Sequence, residues 1–363
     1  MASSALRRLR DFIAIPSINP MERHDIDARL VGERRYAEHV QAELTRLRID
    51  SVIVGQGERQ SVVGEAHAGP DAETLLVASH LDTVPIDGMI IDPFDPRVDG
   101  NRVYGRGSCD TKAGLAALLA ALERVLERGT LKRNVVVVGE ADEEFTSIGV
   151  NDVLAHLASR RIDWAIATEP TELGLVTQHK GIAAVRLEAR GRACHSSDPT
   201  QGKNAIVALA RAVSALDELS RHLAHKVHPV LGPATLSVGL IGGGQAPNIV
   251  PDHGWVVVDR RLLPGETVDS VRVEFTEALA RAGVSDVSVS DIKLGKGTLS
   301  AAPEHAGVRA CQRALSALGA DPSPRSVAFA TDGGPFSEHG ITTVVLGPGS
   351  IDRAHTRDEY VEL

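Results

Sequence analysis

Aromatic residues are scarce in this 363-residue sequence, where 6 Phe, 2 Trp and 3 Tyr make up only 3%. Ala, Val, Leu and Ile must therefore fill the cores, and a surface that stacks bases or sugars has few residues to build on. Cysteine is equally sparse. Cys109, Cys194 and Cys311 are odd in number and lack a C-x-x-C spacing, which argues against a disulfide framework or a thiolate zinc site and fits a reducing cytoplasm. Long hydrophobic runs are missing too: the longest, residues 113–122, is half a membrane span and is followed directly by Glu123, Arg124 and Glu127. Positive charge is in deficit, with 39 Lys and Arg against 48 Asp and Glu for a net −9, which disfavours nucleic-acid and anionic-membrane partners. The phosphate-loop, G-x-G-x-x-G and G-x-S-x-G patterns do not occur, so nucleotide binding and serine-hydrolase chemistry lose their usual support.

What remains is an ordinary globular composition, 43% hydrophobic and 24% charged, on a chain longer than one hydrophobic core usually organises. Two domains are expected. From the start to about residue 180, helical patterns (36–47, 111–126) alternate with short β-rich runs (74–78, 134–138, 164–168), which reads as an α/β sheet layered by helices. Arg7, Arg8 and Arg10 belong to the first helix. Between 180 and 292 the pattern becomes strand, helix, strand, strand, helix, strand, the βαββαβ order of a ferredoxin-like unit. The first style then resumes at 304–318, 325–328 and 342–346. The fold class is therefore α/β, with one domain formed by residues 1–179 and 293–363 around a mixed, helix-flanked sheet, interrupted by an inserted domain at 180–292.

In open α/β sheets, ligands sit at the carboxyl ends of strands. His80 and Asp82 follow the run 74–78 and, two apart on an extended segment, point to the same side, where the carboxylate can hold one imidazole nitrogen while the other meets a metal. Asp110 closes a glycine-rich turn (Gly105, Gly107) at the start of a strong helix, with Asp110 or Thr111 as N-cap; a carboxylate there stays ionised and has two oxygens to bridge two cations. Asp142, Glu143 and Glu144 crowd three acids at the end of an all-valine strand, which costs repulsion unless cations or protons compensate. Glu169 follows the run 164–168 and precedes Pro170, and His355 lies in a loop after the last strand. Imidazole and carboxylate donors without thiolate suit Zn²⁺, Co²⁺ or Mn²⁺, and the set is right for two ions sharing one Asp with a spare carboxylate as base. Three of the 14 His are thus given chemistry here or below; His222, His225 and His228, spaced by three near a helix end without acidic neighbours, are read as solvated, Cys109 as a packed thiol and His179 as hinge structure.

The segments Ser79-His80-Leu81-Asp82-Thr83-Val84-Pro85, 105–114, Glu140-Ala141-Asp142-Glu143-Glu144, Thr168-Glu169-Pro170 and 346–355, in this order, resemble those of the di-zinc amidohydrolases that include acetylornithine deacetylase, succinyl-diaminopimelate desuccinylase, aminoacylase and carboxypeptidase G. The resemblance implies that His80 and Glu169 bind one metal, Glu144 and His355 the other, and that Asp110 bridges. It implies that Asp82 orients His80 and that Glu143 is the general base. The inserted domain would be a lid and dimerisation domain. There Gly191-Arg192-Ala193-Cys194-His195 is similar to a motif whose His reaches into the neighbouring subunit's site to stabilise the oxyanion, Asn248 falls in a substrate-contacting segment, and Arg261 matches the residue that grips a substrate carboxylate. Adjacent Arg260 would face the opposite side of the strand. Glu at position 169 weighs toward N-acyl amino acid substrates rather than aminopeptidase action, and the C-terminal segment with Asp358-Glu359-Tyr360 is most like acetylornithine deacetylase. The resemblance implies a homodimer carrying two divalent metal ions; a desuccinylase, a glutamate-type carboxypeptidase or a non-catalytic binding protein are its alternatives. Members commonly continue into a closing helix, so with Leu363 as the last residue that helix is expected to be shortened or missing.

Overall fold

A computed structural model describes residues 3–363, apart from the side chain of Leu294. The chain divides into two compact units, one made of residues 1–178, 299–326 and 331–363 and the other of 179–298 and 327–330.

In the first unit the run of valines decides the architecture. Val135 and Val137 of the strand Asn134–Glu140 enter one apolar cluster and Val136 and Val138 enter another, so both faces of the sheet are covered. Helices Ser4–Ile13, Arg34–Arg46 and Lys112–Glu127 bury their apolar stripes on the first face. Helices Ile148–His156 and Gly333–Glu338 cover the second. The sheet is mixed, in the order Asp50–Gln56, Arg59–Ala66, Asn134–Glu140, Thr74–His80, Trp164–Ala167, Thr343–Val345, Val176–His179 and Leu299–Ser300. Its four central strands, from Asn134–Glu140 to Thr343–Val345, are parallel, with His80 opposite Glu140 and Ala78 opposite Ala167. A crevice at their carboxyl ends is the expected ligand position.

Two central strands run two residues further than their apolar patterns indicate. His80 and Glu140 are still paired as strand residues, because backbone pairing continues where the side chains have turned polar. The helix after the glycine-rich turn starts at Lys112 with Thr111 as its N-cap residue, so Asp110 lies outside it. The last residues form the strand Tyr360–Glu362, which pairs with Arg102–Tyr104 in a small three-stranded sheet.

The second unit is a four-stranded antiparallel sheet in the order Thr235–Gly243, His253–Leu262, Gly181–Arg190, Val287–Lys296. Its inner face alternates strictly: Ala183, Val185, Leu187 and Ala189, with Val256 and Val258, pack under helices Ala205–Leu223 and Val268–Arg281. Asn204 caps the first of these helices, and Thr267 and Ser270 form a capping box on the second. Arg186 and Trp255, on neighbouring strands, meet on the opposite face in a cation–π contact of 4.8 Å. Among the described residues no helix is long and apolar enough to cross a membrane.

Candidate metal centre

The four parallel strands deliver their following residues to one place. His80, the last residue of its strand, puts Nε2 3.0 Å from Asp110 Oδ1 and 4.0 Å from Glu169 Oε2. Asp110 offers its other oxygen, Oδ2, at 3.1 Å to Nε2 of His355, which lies 3.0 Å from Glu144 Oε1. Two donor groups result, His80 with Asp110 and Glu169, and His355 with Asp110 and Glu144, and within each the ligand atoms lie inside 4.8 Å of one another. Asp110 belongs to both, one oxygen to each. Buried carboxylates of one sign, closed by two imidazoles, need positive charge to balance them, and a nitrogen and oxygen donor set of this kind fits a pair of divalent cations.

Protonation shows the same demand. Burial disfavours an imidazolium at His80, but the Asp110 and Asp82 contacts and the charges of Glu169 and Glu143 outweigh it and raise its pKa well above the ordinary value. Asp110 is pushed the other way: against burial, its bonds to His355 and His80 hold it well below the carboxylate range. His355, half-exposed, is raised to about 10 by Asp110 and Glu144, and burial lifts Glu144 to about 7.

Asp82 is fully buried, and the Nδ1–H of His80 donates to its backbone oxygen at 2.9 Å, with carboxylate Oδ1 3.5 Å from the same nitrogen. That carboxylate also accepts the backbone N–H of Glu143 (3.1 Å) and of Glu144 (3.0 Å), so one side chain steadies both the imidazole and the acidic turn. Asp142, which has a left-handed φ of 64°, turns away from the donor groups to Thr146, Asn19 and Arg59. The crowding of three acids is relieved in this way, and Glu143 and Glu144 are left for the site. Thr111 donates to the His80 backbone oxygen and hydrogen-bonds Ser79, joining the strand end to the Asp110 turn.

Several residues that hold the site carry no local signal. Asn19 is buried, its Nδ2 donating to both Asp82 and Asp142 at 2.8 Å, and its Oδ1 accepting from Arg59. Prolines on either side, Pro16 and Pro20, are the one sequence hint of a fixed loop there. Arg59 comes from an edge hairpin and pairs with buried Glu33. Arg106 and Glu359 form a buried ion pair of 2.7 Å beside Asp110. Cys109 is a buried thiol donating to the Ser350 backbone oxygen, pushed up by burial.

The remaining candidates belong to the second unit. His195 is exposed, with Nδ1 2.8 Å from Ser197 Oγ. It forms a bridge to Ile249, and the Asn248 backbone oxygen accepts from Ser196, so the His195 and Asn248 segments are neighbours. Arg261 is at the other end of the strand His253–Leu262, about 23 Å from Gly254 at the rise of an extended chain. Arg260 is fully buried and committed to Glu266 (2.7 Å) and Glu274 (3.1 Å), whereas Arg261, on the opposite face, holds Asp259 with two hydrogen bonds. His222 and His225 are exposed. Buried His179 is lowered to about 4 by burial.

The model of peptidase family M20/M25/M40 matches residues 76–363. The chain is 34% identical over 306 residues to acetylornithine deacetylase of Klebsiella pneumoniae (strain 342), spanning 82% of this chain and 78% of that one. It is 33% identical over 308 residues to the enzyme of the same name from Pectobacterium carotovorum subsp. carotovorum (strain PC1), spanning 83% and 77%. In structure it is similar to an M20 family metallo-carboxypeptidase from Sulfolobus solfataricus, with a TM-score of 0.78, 21% identity and coverage of 99% and 95%. A dinuclear metal-binding M20 peptidase from Bacillus subtilis gives a TM-score of 0.71 at 16% identity, covering 99% and 92%. With sequence and fold in agreement, the chain belongs to peptidase family M20/M25/M40, among enzymes that hydrolyse peptide and related amide bonds.

Proposed function

We propose that this enzyme hydrolyses the amide of an N-acyl amino acid, with N-acetylornithine as the first substrate to test. The observation that carries the reading is the pair of donor groups sharing Asp110, with Glu143 next to the ligand Glu144. The names of the relatives at 33–34% identity support the acetylornithine assignment.

His80, Asp110 and Glu169 would hold one divalent cation and Asp110, Glu144 and His355 the second, zinc being the first choice and cobalt or manganese the others. When bound, such ions supply Lewis acidity toward a water molecule and the amide carbonyl. Glu143 is the general base: it takes a proton from the attacking water and returns it to the leaving nitrogen. Asp82 keeps the His80 ring in one orientation. By their match to the family's motifs, His195 is assigned to the developing oxyanion, Arg261 to the substrate carboxylate and Asn248 to substrate contact. Commitment of Arg260 to Glu266 and Glu274 supports Arg261 as the carboxylate reader. The separation of His195 and Arg261 along one sheet supports a homodimer joined through the second unit, in which a site draws these two residues from different subunits. Three unpaired cysteines support a cytoplasmic setting.

The test is a panel of acetyl, succinyl and glutamyl amino acids assayed on the zinc- and cobalt-loaded protein, with metal content measured in parallel. Preference for N-acetylornithine is expected. Glu143→Gln should lose about 10²–10⁴-fold in kcat with both ions retained. Tight binding without turnover across the panel would overturn the enzymatic reading.

A further inference from the structure

The turn that carries Asp110 is built around a carboxylate from the far end of the chain. Glu359 is completely buried, and its two oxygens each receive two donors. Oε1 accepts the backbone N–H of Cys109 at 2.9 Å and of Asp110 at 3.1 Å; Oε2 accepts the N–H of Gly107 at 2.9 Å and Nη1 of Arg106 at 2.7 Å. Gly105 and Gly107 have φ of 146° and 80°, which curl the turn so that the amides of Gly107, Cys109 and Asp110 converge on one point, an arrangement that binds anions. Here the anion is part of the protein.

Arg106 is itself buried and is anchored further by Nη2 on the Pro85 backbone oxygen. Glu359 is tied down by its backbone as well, accepting from Gly105 N–H at 3.1 Å, and the next residues pair with Arg102–Tyr104. One of the four donors is the amide of Asp110, so the carboxylate of Glu359 fixes the backbone from which the shared ligand projects. Glu359 also follows His355 by four residues, and its anchoring limits where that ligand's loop can lie.

We propose that Glu359 is a positioning residue of the metal centre, holding the Asp110 turn so that both Asp110 oxygens face their cations. The proposal rests on the dinuclear reading above. It explains why a carboxylate is fully buried here, paired with Arg106 and three backbone amides of the Asp110 turn. It also requires a carboxylate specifically: in Glu359→Gln, whichever way the amide is turned, its NH₂ faces two donors and cannot satisfy either.

The experiment compares wild type, Glu359→Gln and Glu359→Asp as full-length, metal-free proteins titrated with Co²⁺. Stoichiometry and affinity come from equilibrium dialysis, and the visible and electron paramagnetic resonance spectra report whether two cobalt ions are coupled through a shared ligand. Thermal melting of the metal-free proteins checks the fold. Glu359→Gln is expected to bind Co²⁺ about 10–100-fold more weakly and to lose the coupled signal. Glu359→Asp, which keeps the charge and four acceptor sites on a shorter stem, should recover part of both. Wild-type affinity and coupling in the folded Gln variant overturn the proposal. If that variant does not fold, the Asp variant decides, and unaltered affinity and coupling there likewise overturn it. A wild-type chain that takes up fewer than two ions overturns the dinuclear reading instead.

Discussion

Asn19 is the residue on which the acidic side of the site most depends for neutral support, and its replacement can be worked out from the structure. Its Nδ2 donates to Asp82 Oδ2 and Asp142 Oδ1, both at 2.8 Å, and its Oδ1 accepts from Met21 N–H and Arg59 Nη2, both at 3.0 Å. Hydrogen bonds to charged groups contribute about 1.5–3 kcal/mol each, so the two bonds to carboxylates represent about 3–6 kcal/mol. Asn19→Ala opens room for a water that restores part of this, leaving an expected loss of about 3 kcal/mol. In a domain of this size that lowers Tm by roughly 6–12 °C.

Asn19→Asp separates the electrostatic argument from simple loss of packing. It replaces a donor by an acceptor between two buried carboxylates, and two unit charges 4 Å apart at a surface-like dielectric repel by about 4 kcal/mol. Arg59 offsets part of that on the other oxygen. The Asp variant should therefore be less stable than the Ala variant at pH 8. An acid introduced there has its pKa raised in the folded state, so its penalty is absent below the unfolded carboxyl pKa and grows as pH rises through the folded value. Calorimetry of the metal-free proteins between pH 5 and 8 is the assay. A Tm within 2 °C of wild type for Ala, or an Asp variant as stable as Ala at pH 8, refutes the reasoning.

Arg260 and Arg261 should behave oppositely. Arg260→Met leaves Glu266 and Glu274 without their buried partner and should destabilise by about 3–5 kcal/mol in chemical denaturation, whereas Arg261→Met should fold normally and raise KM about 10–100-fold through loss of a bidentate contact. Gly114→Ala would bring a Cβ within 2.4 Å of Thr168 Oγ1 and 2.9 Å of its backbone oxygen, so the residue before Glu169 must move; weaker metal binding by dialysis and a lower Tm are expected. The metal-free enzyme should lose stability as pH rises. His355 is raised to about 10 from an ordinary 6.5, so its contribution is complete below pH 6.5 and is lost as pH passes through about 10; melting curves of chelated and zinc-loaded protein should diverge over that range as the cations replace the proton.

Much of the fold is legible because two periodicities carry it. The strict alternation of Ala183, Val185, Leu187 and Ala189 marks a sheet covered on one face, and the unbroken valines at 135–138 mark one covered on both. Strand ends are less legible, since His80 and Glu140 remain in register after their side chains stop being apolar. The ligand candidates are readable one by one because each lies at the end of a strand, in the loop that follows one, or in the glycine-rich turn. The choice between Arg260 and Arg261 is not: the pleat says only that they face opposite ways, and Glu274, from a helix 14 residues on, decides which is buried.

The residues that hold the ligands escape a reading along the chain for a physical reason. Asn19 meets Asp82 from 63 residues away and Asp142 from 123, and Glu359 meets the Asp110 turn from about 250, and none belongs to an apolar repeat. Yet their existence follows from the ligands. Placing Asp82, Asp110, Asp142, Glu143 and Glu169 in nearly buried positions demands donors and charge beyond the cations themselves, because a buried carboxylate without partners costs several kcal/mol. Asp82 draws them from Asn19 and two backbone amides, and Asp142 from Asn19, Arg59 and Thr146. The Asp110 turn directs its amides to Glu359 and leaves both Asp110 oxygens for the imidazoles of His80 and His355. A cluster of acids at strand ends therefore implies a second set of polar residues drawn from distant segments, and replacing any of these should weaken metal binding while every ligand stays in place.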